Sequence, residues 1–155
     1  MLKKLEKDLT HYVKKINFVI SNVKELQDSM NNKRLKVLDV GCGTGNISLE
    51  VAELGCEVLG IDLDKESIEY ANKRNTLKNC KFKVANAQDL DLKEKFDVII
   101  ASEVLEHLKH PENLVDFVNK NLKKEGFLFL SIPNGFGPSE ISVTPRRVVG
   151  RILKM

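Results

Sequence analysis

Apolar side chains recur at Leu2, Leu5, Leu9, Tyr12, Ile16, Val19, Val23 and Leu26, a three-four spacing sustained through the start of the chain. That period predicts one long amphipathic helix. Val13, Ile20 and Met30 widen the stripe toward the face a helix lays on a domain core, so core packing is expected ahead of a coiled-coil seam. The polar cluster Ser29-Met30-Asn31-Asn32 should end the helix. From Lys36 the texture changes to short apolar runs alternating with helical patterns, which is how parallel strands joined by crossover helices read. Strands are expected at Lys36 to Val40, Glu57 to Ile61, Lys81 to Val84, Phe96 to Ala101 and Phe127 to Ile132. Val98-Ile99-Ile100-Ala101 does not alternate, as suits a strand covered on both faces. Helices are expected from Ile47 to Leu54, closed by Gly55; from Lys65 to Thr76, capped by Asp64, with Ile68, Ala71 and Tyr70 turned inward; and from Pro111 to Leu122, ended by Gly126.

Five strands alternating with helices predict an α/β fold, a Rossmann-like doubly wound sheet of five parallel strands preceded by the long helix. Such sheets bind ligands beyond the carboxyl ends of their strands, and the candidate chemistry lies there. The first strand runs into Asp39-Val40-Gly41-Cys42-Gly43-Thr44-Gly45-Asn46. The spacing is Gly-x-Gly-x-Gly. Asn46 stands where the dinucleotide fingerprint needs glycine or alanine, and no Gly-Lys-Ser/Thr follows to make a phosphate-binding P-loop. What remains is a tight turn whose amides, at a helix N-terminus, can meet a small anion such as a carboxylate. Asp39 beside it can face an ammonium group. Asp62 ends the second strand, placed to accept hydrogen bonds from two ribose hydroxyls; taken alone it would read as a turn residue. Asn86-Ala87-Gln88-Asp89 after the third strand offers polar groups to a purine edge.

These residues resemble the class I S-adenosylmethionine-dependent methyltransferases, small-molecule members similar to the quinone-biosynthesis O-methyltransferases among them. The resemblance rests on Val37 to Gly45, Gly60-Ile61-Asp62, Asn86 to Leu90, Phe96 to Ile99, Glu103-Val104-Leu105-Glu106-His107 and Gly126 with the strand after it. It implies that Asp39, Gly41, Cys42, Gly43, Thr44 and Gly45 surround the methionine moiety of S-adenosylmethionine. It also implies that Asp62 holds the ribose, Leu63 packs on the adenine, Asn86 and Ala87 meet its edge and Ser102 lines the cleft. The product would be S-adenosylhomocysteine.

Ser102 to His107 sits where a methyl acceptor would meet the sulfonium. His107 is the candidate general base, since imidazole titrates near neutrality. It reads equally as a histidine favoured by the dipole at a short helix's C-terminus. A third reading groups Glu103, Glu106 and His107 on one helical face as metal ligands, a pattern similar to some quinone-biosynthesis relatives; no metal is assigned.

The chain has 155 residues, 42% hydrophobic and 30% charged, the make-up of one globular domain. No apolar run approaches the roughly 18 to 20 residues of a membrane span and no signal-peptide core follows Met1, so a cytoplasmic location is expected. The net charge of +3 is carried by the segment from Pro133 to Met155, leaving the rest neutral, which argues against a nucleic-acid acceptor; a small molecule methylated at oxygen is the acceptor that the family resemblance implies. Cys42, Cys56 and Cys80 form no disulfide or zinc pattern. The expected organisation is an N-terminal helix at 1–33, acting as cap or dimer contact, a donor-binding core at 34–133, and an abbreviated tail at 134–155. The family resemblance implies two further antiparallel strands, whereas this chain offers Ile141 to Val143 and, from Thr144-Pro145, a terminal helix. That expectation leaves the fifth strand an open apolar edge, available to a second copy. A shortened chain, a short form completed by another chain, or a tail helix over the edge would each account for it. Two other functions stay open: a non-catalytic donor-binding module and an NAD-binding oxidoreductase domain.

Overall fold

The structure, a computed structural model, describes residues 2–31, 33–108, 110–132 and 140–145, with the side chains of 10, 12–31, 33–108 and 110–131. The start of the predicted stripe, Leu2, Leu5 and Leu9, therefore falls outside the described side chains, and residues 133–139 fall outside the described residues. The chain runs α1 (Leu2–Ser29), β1 (Lys36–Val40), α2 (Asn46–Glu53), β2 (Glu57–Asp62), α3 (Lys65–Arg74), β3 (Cys80–Val84), β4 (Phe96–Ser102), a 3-10 turn (Leu105–His107), α4 (Glu112–Asn121), β5 (Leu122–Ile132) and β6 (Glu140–Pro145).

The sheet order is β3-β2-β1-β4-β5-β6. The first five strands are parallel, as expected, and β6 returns antiparallel to β5 with Ile132 opposite Glu140 and Phe127 opposite Pro145. Strand pairing proceeds outward from β1 to β3 and then resumes on the other side of β1 with β4, so the order reverses between β1 and β4. A doubly wound sheet opens a ligand crevice at such a reversal.

Apolar runs without alternation are explained by the two cores. Val37, Val58, Val98, Ile100 and Phe129 face Val19 and Val23 of α1, Val51 of α2 and Ile68 of α3. Leu38, Ile61, Ile99, Leu128 and Leu130 face Leu114, Phe117 and Val118 of α4. Each fully buried branched side chain contributes about 1.5–3 kcal/mol of transfer free energy. The first helix packs on the core with Val19 and Val23 buried, as its stripe predicted.

Several local expectations are corrected. Val13 is 46% exposed and Tyr70 56% exposed, because Ile16, Val19 and Val23 in α1, and Ile68 and Ala71 in α3, already fill the inward faces. The last core helix ends at Asn121, and Gly126 lies inside β5, where a β-carbon would come within 3.0 Å of the Asp97 carbonyl. Leu122 is fully buried opposite Phe96, and the β4–β5 register shifts before Val98 meets Phe127. Thr144 and Pro145 stand in β6, so Thr144 is not a helix cap; the terminal helix expected after them lies outside the described residues. The edge of β5 is therefore paired, and the expected exposed strand available to a second copy is not there.

Candidate functional site

The loop after β1 folds as its glycines require. Gly41, Gly43 and Gly45 have φ of 69°, 51° and 80°, a left-handed region costly for residues with a β-carbon. The amides of Gly41 and Cys42 donate to the Ile61 carbonyl at 2.8 and 3.1 Å, tying the loop to the end of β2. A β-carbon at Gly45 would lie 2.5 Å from the Phe82 ring, and one at Gly41 would lie 2.6 Å from Val104. At Gly43 it would meet nothing within 4 Å, so the middle of the loop borders open space. Asn46 opens α2; its amide nitrogen donates to the Tyr12 hydroxyl and its oxygen accepts from Arg74. The residue that breaks the dinucleotide fingerprint thus ties α1 and α3 to the loop.

Asp62 ends β2 and holds the loop directly. The Gly43 amide donates to its Oδ2 at 2.7 Å and the Asp64 amide to its Oδ1 at 2.9 Å. Both oxygens keep lone pairs for further donors. Leu63 follows with 66% exposure, an apolar side chain offered to the crevice. The Asn86 side chain is engaged within its own loop, accepting from the Gln88 amide and donating to Asp89. Thr44 and Cys42 line the same face; burial first, then Asp39 and Asp62, pushes the Cys42 thiol pKa up, so it stays protonated.

Two cavities meet at Gly41, Ser102 and Glu103. One of about 430 Å³ is lined by Asp62, Leu63, Asn86, Ala87, Val104 and His107. The other, about 330 Å³, is lined by Tyr12, Lys15, Asp39, Thr44 and Asn46 around the glycine loop. The predicted donor-site residues except Gly45 therefore line one or the other of these two adjoining cavities; a β-carbon at Gly45 would run into the Phe82 ring. Asp39 is 2% exposed and accepts from the Ser48 hydroxyl at 2.6 Å. Burial raises its pKa to about 7, with Asp62 adding to the rise while Ser48 and Lys15 oppose it.

The turn after β4 differs from its helical reading. Glu103 has φ of 56°, its amide donates to the carbonyl and hydroxyl oxygens of Ser131, and only Leu105–His107 forms a 3-10 turn. The Ser102 and Ser131 hydroxyls lie 2.9 Å apart, fixing this corner to β5. Glu103 pairs with Lys15 at 3.1 Å, while His107 Nε2 lies 3.7 Å from Glu106 Oε1. Glu103, Glu106 and His107 thus do not share one helical face, and no group of three His, Cys, Asp or Glu able to hold a metal exists among the described residues. His107 lines the larger cavity with its side chain 78% exposed, at the rim.

Tyr12 and Lys15 were not legible as site residues. The signal was present: Lys15 lies between Tyr12 and Val19 on the inward face of α1 and is 7% exposed, a charge on a packed stripe. A charge there needs a partner, and its partner is in the crevice.

The comparisons agree with this geometry. A family model described as a methyltransferase domain matches residues 31–146. The ubiquinone biosynthesis O-methyltransferase of Pelagibacter ubique (strain HTCC1062) is 41% identical over 105 residues, covering 66% of this chain and 43% of that protein. The chain thus spans less than half the length of this curated relative. PKMT2 from Rickettsia typhi, solved in complex with AdoHcy, superposes with a TM-score of 0.60 at 33% identity, covering 63% of this chain and 21% of that one. A TehB-like SAM-dependent methyltransferase from Corynebacterium glutamicum gives 0.62 at 28% identity, covering 74% and 64%. With the family match spanning most of the sheet and the glycine loop, Asp62 and crevice in place, the chain belongs to the methyltransferase domain family as a class I S-adenosylmethionine-dependent member.

Proposed function

We propose that the crevice binds S-adenosylmethionine and passes its methyl group to an oxygen of a small-molecule acceptor, releasing S-adenosylhomocysteine. The observation that carries this reading is the Gly43 amide held on Asp62 at 2.7 Å, which sets an open glycine turn beside a carboxylate at the reversal of strand order. In this reading Asp62 receives the ribose hydroxyls, Leu63 and Ala87 cover the adenine, and Asp39 faces the ammonium of the amino-acid end. Gly41, Cys42, Gly43 and Thr44 lie along that end, Gly45 sets their turn, and the loop of Asn86 lies along the adenine edge. Ser102 lines the junction. When bound, the donor supplies an electrophilic methyl carbon; the chain has to hold the acceptor in line at about 3–3.5 Å and exclude water. His107 takes the acceptor's hydroxyl proton at the rim.

Residues 34–133 form the donor-binding core in this proposal, with 1–33 as its cap and 134–155 as the tail. Oxygen methylation of a small molecule is supported by the ubiquinone biosynthesis O-methyltransferase relative, and the neutral charge before Pro133 argues against a nucleic-acid acceptor. A cytoplasmic location belongs to the same proposal; no helix among the described residues is long and apolar enough to cross a membrane. If two copies pair, α1 is the remaining candidate contact.

Thermal unfolding with ligands tests the reading. S-adenosylhomocysteine at a hundredfold excess over its Kd should stabilise the protein by about 2.7 kcal/mol through mass action, and NAD should not. Stabilisation by NAD alone would overturn it. Asp62→Ala should cost at least about tenfold in donor affinity through lost charge-assisted hydrogen bonds, while His107→Ala should lower turnover with affinity kept. Equal loss of affinity in both variants would end the assigned division of roles.

A further inference from the structure

Side chains from three helices form a chain of hydrogen bonds that ends at the smaller cavity. Arg74, the last residue of α3, donates to Asn46 Oδ1, and Asn46, the first residue of α2, donates through Nδ2 to the hydroxyl oxygen of Tyr12 in α1. Tyr12 and Asn46 line the smaller cavity with Asp39 and the glycine loop, whereas Arg74 lines neither cavity. Its guanidinium also sits over the Tyr70 ring, 5.7 Å from the ring centre. The direction of the chain follows from which groups can donate and which can accept. A guanidinium only donates, so the oxygen of the Asn46 amide has to face Arg74 and its nitrogen has to face Tyr12. That nitrogen in turn only donates, so the Tyr12 oxygen has to accept and its own proton has to point elsewhere. Among the described residues no acceptor takes that proton. Tyr12 is thus left as a donor to whatever fills the cavity it lines.

We propose that Asn46, oriented by Arg74, is a positioning residue that commits the Tyr12 hydroxyl to donate to the carboxylate of the methyl donor. This rests on the proposed donor site and adds to it the polarity of the amino-acid end: Asp39 faces the ammonium and Tyr12 the carboxylate. The amide at position 46 then matters for its two-sidedness, accepting on one side and donating on the other. An aspartate there, of the same size, would accept from both Arg74 and Tyr12 and turn the phenol proton away from the ligand. The side chain that departs from the dinucleotide fingerprint thereby becomes the one that sets what the cavity wall can bind.

The test uses two ligands that differ at the relevant end, S-adenosylhomocysteine and 5′-methylthioadenosine, which lacks the amino acid. Their affinities are measured by calorimetry on the full chain, on Tyr12→Phe, Asn46→Asp and Arg74→Met, and on Tyr12→Phe combined with each of the other two. Melting temperatures are recorded without ligand. Tyr12→Phe should weaken S-adenosylhomocysteine about tenfold, the size of one hydrogen bond to a charged group, and leave methylthioadenosine unchanged. Asn46→Asp should match that loss while keeping the melting temperature, because Arg74 gains a carboxylate partner. Arg74→Met frees the amide to turn over and should cost about threefold, part of the same bond. In the Tyr12→Phe background the changes at 46 and 74 should each add less than about twofold, since both act through the phenol. Losses that persist there would mean that the altered charges act on the ligand directly, and would overturn the proposal. So would Tyr12→Phe binding S-adenosylhomocysteine as wild type does, or variants that lower the melting temperature and weaken both ligands alike, the mark of a bridge that only holds helices together. Should Asn46→Asp not fold, Arg74→Met and its double variant decide the matter. Wild-type protein that binds neither ligand would overturn the donor site itself, whereas wild-type binding with additive losses overturns the positioning role alone.

Discussion

Two aspartates of one sheet, Asp39 near the carboxyl end of β1 and Asp97 at the amino end of β4, are 2% and 6% exposed and yet are treated in opposite ways. Asp97 accepts from the ammonium groups of Lys33 and Lys123 at 2.8 and 2.9 Å and from the Lys36 amide at 2.9 Å. Burial pulls its pKa up, but these donors together outweigh burial and the net shift is downward. Asp39 has the Ser48 hydroxyl, and burial carries its pKa to about 7. Equal burial therefore does not decide what an aspartate is for; the supply of partners does. At the amino end the charge is neutralised, clamping the 33–36 segment, β4 and β5 together. At the carboxyl end it is left wanting a cation, the condition in which a site can bind one.

The contrast predicts different costs. Asp97→Ala strands the Lys36 amide and two ammonium groups and should destabilise the fold by about 2–4 kcal/mol, read from urea unfolding; Lys33 and Lys123 recover some hydration, which limits the loss. Since the folded pKa of Asp97 is depressed, its contribution is present above the unfolded pKa of about 4 and lost as pH falls through the folded value, so the variant should also lose part of the acid sensitivity. A variant as stable as wild type would erase the distinction between the two ends.

Gly45→Ala probes the carboxyl end. With φ of 80° and the Phe82 ring 2.5 Å from the added carbon, a loss of about 2–3 kcal/mol is expected in the same measurement. Asp39→Asn has the smallest effect and the opposite sign. A raised folded pKa means that Asp39 contributes its full stability below the unfolded pKa of about 4 and loses it as pH rises through about 7. The variant should therefore gain on the order of 1 kcal/mol at roughly pH 8, with the gain fading toward pH 5, while donor affinity falls. Destabilisation at every pH would show that Asp39 serves the fold as Asp97 does.

Much of this organisation was readable along the chain. The apolar run Val98-Ile99-Ile100-Ala101, without alternation, announces a strand covered on both faces, and Gly41, Gly43, Gly45 and Asp62 announce a ligand crevice. The errors fell where neighbours intervene. Tyr70 and Val13 match a helical stripe by spacing but find the inward faces already occupied. Glu103, Glu106 and His107 match a helical face, but the Ser131 anchor turns Glu103 into a left-handed conformation and only a 3-10 turn follows. Gly126 looked like a helix stop, yet buried Leu122 had already joined β5. Ile141 to Val143 reads as a short apolar run, and in the structure it belongs to β6, which covers the edge of β5.

What the sequence alone determined are features governed by forces between near neighbours: strand and helix periods, the capping of α3 by Asp64, and the glycines that permit a turn no β-carbon would. The tertiary structure decided which distant groups share a small volume. Lys15 on Glu103, Tyr12 on Asn46 and three cationic or amide donors on Asp97 each join residues far apart in the chain. Such pairings follow from how a helix seats on a sheet, because a charge denied water must take the partner that packing brings within reach.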